Sequence, residues 1–205
     1  RYGHFYFNRR DKKAYILTES IVEASSAGME KWFLDNTPYV LEQDYNISLI
    51  QSGINIDSPT SGFGFHAGYD PKYKRILLTK RERIPSQGLI SALNSNLIRI
   101  VNNKFIAQTS LPGSTYQTGD VIPFSDNTYF NVGGWTLSYY PEIQVWGSRH
   151  DYNPVLYCNT PQNLYSLTSN AERMLGSQIW EHSNDLEPCN FYGEDYNFEF
   201  EFIDN

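Results

Sequence analysis

Four histidines, His4, His66, His150 and His182, are the side chains best suited to ligate a metal or carry a proton near neutral pH. None has a second ligand at helical or i+2 spacing, so they read as partly buried, hydrogen-bonded histidines. His150-Asp151 matches the core of a hydrolase metal motif only as a dipeptide, and it falls in a strand. The carboxylates Asp70, Glu142, Asp151, Glu181, Glu187 and Glu194 could supply a glycosidase pair. Asp70 and Glu142 lie in turns, however, where such residues belong for local reasons. The chain has no Gly-x-Ser-x-Gly, and neither Gly62-Phe-Gly64 nor Gly133-Gly134 makes a phosphate-cradling Gly-x-Gly-x-x-Gly ahead of a helix. Asn46-Ile-Ser48 is a lone glycosylation sequon in an Asn-rich chain. The expectation is a protein that is not an enzyme, with no catalytic residue, cofactor or metal.

Aromatic side chains are the other candidate machinery, because exposed Trp and Tyr stack on sugars. Trp32, Trp135, Trp146 and Trp180 all sit at periodic positions that face a core, and packing explains them better. Sixteen Lys and Arg against twenty-three Asp and Glu leave a net charge of −7. Such a balance argues against a phosphate-neutralising surface and predicts no specific nucleic-acid binding. No apolar run approaches the roughly 18 residues of a membrane span, so no transmembrane segment is expected. Cys158 and Cys189 are too few for a disulfide framework and read as free, buried or half-buried thiols.

Sixteen Tyr and twelve Phe favour strands over helices. The densest aromatic stretch is 135–152. Trp135, Leu137 and Tyr139 share one face, and Trp146, Ser148, His150 and Tyr152 alternate with Val145, Gly147, Arg149 and Asp151. Pro141 opens the connection between these strands. A second hairpin, 63–80, turns at Asp70-Pro71, with Asp at the first and Pro at the second position of a type I turn. Ile76-Leu77-Leu78 within it is apolar on both faces and predicts a covered strand. Further hairpins are expected at 5–18 and 155–168. Met29, Trp32 and Phe33 at i, i+3 and i+4 predict one short helix over 25–36, capped by Ser25 or Ser26.

Residues 83–134 are polar, Asn-rich and irregular, and predict an inserted arm or interface segment outside the core. The four hairpins repeat one theme, an aromatic strand, a tight polar turn and a strand reading Tyr-Ile-Leu-Thr, Ile-Leu-Leu-Thr or Leu-Tyr-Ser-Leu-Thr. The predicted class is all-β, with irregular β-propeller-like antiparallel blades, one short helix and a long inserted arm; a β-sandwich is the alternative. Strand-like residues at both ends suggest that residues 1–205 are part of one β-rich domain from a longer protein. Phe198, Phe200 and Phe202 share one face of a last strand that another segment or subunit should complete.

Several segments together resemble the muzzle or nozzle tail proteins of short-tailed bacteriophages, particularly of the crAss-like type. They are Tyr6-Phe-Asn-Arg-Arg-Asp-Lys-Lys-Ala-Tyr-Ile-Leu, Gly28-Met-Glu-Lys-Trp-Phe, Gly68-Tyr-Asp-Pro-Lys-Tyr-Lys-Arg-Ile-Leu-Leu, Thr136-Leu-Ser-Tyr-Tyr-Pro-Glu and Trp146-Gly-Ser-Arg-His-Asp-Tyr. Ile179-Trp-Glu-His182 and Phe191-Tyr-Gly193 add to the resemblance. It implies a virion structural protein of the distal tail channel, assembled in the bacterial cytoplasm. Its partners would be further copies in a homo-oligomeric ring, through which DNA is ejected, and neighbouring phage tail proteins. It carries over no active-site residue. The residues expected to matter are structural: Trp32, Asp70, Pro71, Trp135, Pro141, Trp146, His150 and Phe200. The competing expectation is a carbohydrate-binding or carbohydrate-cleaving propeller, such as a receptor-binding module.

Overall fold

A computed structural model of the chain describes residues 3–168 and 178–182, together with the backbone of 190–191 and 194–195. Phe200, the rest of the final Phe-rich stretch, Cys189 and Glu187 lie outside the described residues, as does the Glu194 side chain. The first sheet is a meander of β1 (His4–Asn8), β2 (Lys13–Leu17) and β3 (Ile21–Glu23). Helices α1 (Glu30–Asn36) and α2 (Val40–Gln43) follow. Strands β4 (Gly64–Asp70) and β5 (Arg75–Pro85) then form a long hairpin, and α3 (Gln87–Asn94) leaves its end. Strands β6 (Ile98–Val101), β7 (Lys104–Ala107) and β8 (Val121–Ile122) form a small sheet. The chain returns through β9 (Phe130–Tyr140) and β10 (Val145–His150), then makes the meander β11 (Leu156–Asn159), β12 (Leu164–Leu167) and β13 (Ile179–Glu181). A two-stranded ribbon pairs β14 (Asn190–Phe191) with β15 (Glu194–Asp195). The protein is mostly β, and none of its described sheets closes into a barrel.

Three hairpins share one loop geometry. Asn8↔Lys13, Asp70↔Arg75 and Tyr140↔Val145 close four-residue loops, and the fourth loop residue is left-handed each time: Lys12 at φ 57°, Lys74 at 51° and Gln144 at 56°. That residue restores the strand twist after the turn. Asn8 Oδ1 accepts the Arg10 and Asp11 amides, and Asp70 Oδ1 accepts those of Lys72 and Tyr73. The repeat is therefore real at the level of the loop. It does not mark four separate sheets, because the 63–80 and 135–152 hairpins join in one sheet ordered β10-β9-β5-β4. Their inner strands pair from Ile76↔Tyr139 to Pro85↔Phe130.

That central sheet is covered on both faces. Ile76, Leu78, Leu137 and Tyr139 face β1–β3 and α1, where Phe33 and Ile16 are buried against them. Phe7 stacks on Phe65 at 4.4 Å, and Phe33 meets Trp146 edge-on at 4.9 Å. On the opposite face Leu77 packs with Tyr157 and Leu164 of the β11–β13 sheet. Gly68 is required here, because a Cβ would sit 2.7–2.8 Å from the Tyr157 and Leu164 side chains. Three sheets thus stack face to face in chain order.

Several expectations need correction. The helix starts at Glu30, with Met29 at its N-cap and no side-chain cap. Ser25 instead accepts the Ala14 amide and donates to Glu23, holding a 3-10 turn against β2. Three α-helices are present among the described residues where one was expected. Residues 86–129 are indeed an excursion between paired strands, but not an arm outside the core. Leu89, Ile98, Phe105, Leu111, Ile122 and Tyr129 are buried with Tyr39, Leu41, Leu49 and Phe63 in the largest apolar cluster. Neither segment carries enough apolar surface alone, and each supplies what the other lacks. The ends of 83–134 belong to β5 and β9. Cys158 is a free thiol but exposed, not buried. No helix among the described residues is long and apolar enough to cross a membrane.

Candidate functional site

Two polar clusters lie inside the stack, one on each face of the central sheet. On the helical face, Lys80 and Glu82 of β5 form an ion pair at 2.6 Å, with side chains 2% and 6% exposed. Lys80 Nζ also donates to the carbonyls of Asn36 at 3.1 Å and Pro38 at 2.8 Å. Glu82 accepts the Val40 amide at 2.8 Å, and Trp135 Nε1 donates to the Asn36 carbonyl at 3.0 Å. The pair therefore terminates α1 and starts α2 by satisfying backbone groups that each helix end leaves open. Burial pulls the Lys80 ammonium below its ordinary pKa, and Glu82 pushes back.

The other face is the seam with β11–β13. Thr136 donates to the Tyr152 carbonyl at 2.7 Å. A hydroxyl has one proton, so in the 2.8 Å Thr79···Thr136 contact Thr79 must donate, and Tyr157 in turn donates to Thr79 at 2.8 Å. This proton-ordered chain ties the two sheets. Three histidines from separate strands line this seam, with His66 and His150 at opposite edges of the central sheet. His66 on β4 lies 5.0 Å from the Tyr157 ring, His150 on β10 lies 5.0 Å from Tyr152, and His182 after β13 lies 5.3 Å from Tyr152. Burial is the first cause that lowers each imidazole, to about 3 for His66 and about 4 for His150 and His182. Arg81 adds to the effect at His66, and Arg75 adds to it at the other two.

Ser166 Oγ and His182 Nε2 are 2.7 Å apart, the spacing of a nucleophile and its base. Ser166 is only 2% exposed, however, and lies between two packed sheets, so the pair works as a hydrogen bond within the seam. Among the described residues no group of three or more His, Cys, Asp or Glu is arranged to hold a metal ion. Of the carboxylates considered for a glycosidase pair, Asp70 is buried and bound to Arg75 at 3.0 Å. Glu142 pairs with Lys74 in the neighbouring loop at 3.4 Å, and Glu181 accepts from Asn163 at 2.7 Å. Each has a local structural partner.

Trp32 and Trp135 meet at 4.8 Å in the layer between α1 and the central sheet. Trp146 joins that layer and donates to the Ala24 carbonyl at 2.8 Å. Pro71 and Pro141 both occupy the first position of a four-residue loop. His150 lies on the opposite face from Trp146, although strict alternation puts them together. A register shift between Trp146 and Arg149 separates them, with Ser138 Oγ accepting the Ser148 amide at 3.0 Å. Sequence reasoning missed that His182 meets His150 and that His66 lines the same seam from the far edge of the sheet, since no spacing within one strand reveals it. It also missed Lys80 and Glu82, whose i, i+2 opposite charges on one strand face were a usable signal. No protein-family model, curated protein or solved structure matches this chain.

Proposed function

We propose that this chain is a structural module of a larger assembly, and that its role is the one its sequence resemblance implies. That role is a subunit of the distal tail channel of a short-tailed phage, arranged in a ring. The observation that carries the reading is the pair of outward faces at the two ends of the sheet stack. On the first sheet Leu17 and Ile21 are cross-strand partners and are 41% and 63% exposed. On the last, Leu167 pairs with Leu156 and Ile179, which are 48% and 75% exposed. In both sheets the adjoining row sets Tyr opposite Glu, Tyr15↔Glu23 and Tyr165↔Glu181. Apolar cross-strand rows left open at both ends of a stack favour docking of further sheets. Face-to-face stacking in chain order also supports reading the three sheets as consecutive blades of an irregular β-propeller.

The chain should therefore self-associate as its concentration rises, read by mass photometry and light scattering, with ring-shaped particles in negative-stain electron microscopy. Ile21→Lys and Ile179→Lys should each weaken association and leave the circular dichroism spectrum intact. A chain that stays monomeric at high micromolar concentration and gives a glycan-array signal would instead establish the carbohydrate-binding reading.

A further inference from the structure

The seam beneath β11–β13 contains groups that a permanently dry interface has reason to avoid. Both ring nitrogens of His66 are buried without a hydrogen-bond partner, and so is His150 Nε2. Unpaired buried polar atoms carry a desolvation cost that a purely structural seam would lose by substitution with an apolar ring. Arg81 on β5 and Tyr157 on β11 face His66, and the Pro154 backbone beside it favours the charged ring. His150 is faced by Arg75 on β5, Asp70 on β4, its neighbour Asp151, and Tyr152. His182 is faced by Asp70, Arg75, His150, Tyr152 and Tyr157.

We propose that this seam is an acid-opened joint, in which proton uptake by the buried imidazoles, His66 foremost, releases the β11–β13 sheet from the central sheet while the rest of the fold stays closed. The inference is independent of the assembly reading. Each of the three imidazoles sits below the ordinary value near 6.5, so the docked seam binds fewer protons than the open one. Docking is complete above that value and weakens as pH falls towards 4 to 3. Asp70 and Asp151 favour the charged form of His150, and Asp70 that of His182. Among the described residues, the charged side chain that faces His66 is the cation Arg81, which makes His66 the strongest contributor. By pH 5.0 one such histidine shifts the open-to-closed ratio roughly twentyfold relative to pH 7.0.

Hydrogen exchange on the full 205-residue chain at pH 7.0 and 5.0, corrected for intrinsic exchange rates, reads this opening directly. Protection of the β11 and β12 amides should fall at least twentyfold, while β6 and β7 in the separate apolar cluster keep theirs. His66→Phe retains a ring against Tyr157 but cannot titrate, and it should shrink the fall by about the twentyfold share of one histidine. If the Phe variant does not fold at pH 7.0, His66→Gln serves as the same neutral test. Equal protection at both pH values overturns the proposal. So does a parallel loss in β6 and β7, or a variant whose pH 7.0 to 5.0 ratio stays within threefold of the wild type's.

Discussion

Lys80→Met would remove the cation from a carboxylate that is 6% exposed and keeps a single donor, the Val40 amide at 2.8 Å. Breaking a buried pair on one side costs about 3–5 kcal/mol, because the surviving charge stays buried. Glu82→Gln leaves the ammonium with the Asn36 and Pro38 carbonyls and should cost somewhat less. The double variant Lys80→Met/Glu82→Gln buries no charge, and its cost should fall short of the sum by about 2–3 kcal/mol. Urea unfolding followed by tryptophan fluorescence measures all three, with Trp135 reporting from the same Asn36 carbonyl. Single variants that each cost under about 1 kcal/mol, or that add without coupling, would refute the account of this pair as the lock between α1, α2 and β5.

Two further outcomes follow from the backbone. Asp70→Ala loses the hydrogen bonds donated by the Lys72 and Tyr73 amides and the buried Arg75 contact, and should cost about 2–3 kcal/mol by thermal or urea unfolding. Asn8→Ala in the equivalent exposed loop should cost under about 1 kcal/mol, and equal costs at the two sites would show that burial does not separate them. Gly134→Ala drives a Cβ into the Lys80 carbonyl oxygen at a φ of +123°. It should prevent folding or cost more than about 4 kcal/mol, measured as lost soluble yield and a lowered Tm.

The amino-acid sequence by itself determined the short-range features of this protein. Alternating aromatic and β-branched residues specify the strands at 4–8, 13–17, 64–70 and 164–167, and Asn8, Asp70, Pro71 and Pro141 specify loops, because these energies act within a few residues. The doubly covered Ile76-Leu77-Leu78 was legible for the same reason. Tertiary structure alone decided the rest. Whether the hairpins form separate sheets depends on the pairing of β5 with β9 across an excursion of 86–129, and no local window contains both strands. The polarity of that excursion hides its core role, since Phe105 and Ile122 find Tyr39 and Phe63 only after the chain folds back. A single register shift after Trp146 sends His150 to the opposite face, where it meets His182 and shares the seam with His66. Side-chain period in a strand is two, so one displaced residue inverts every face beyond it, and only the ladder to β9 fixes where that displacement falls.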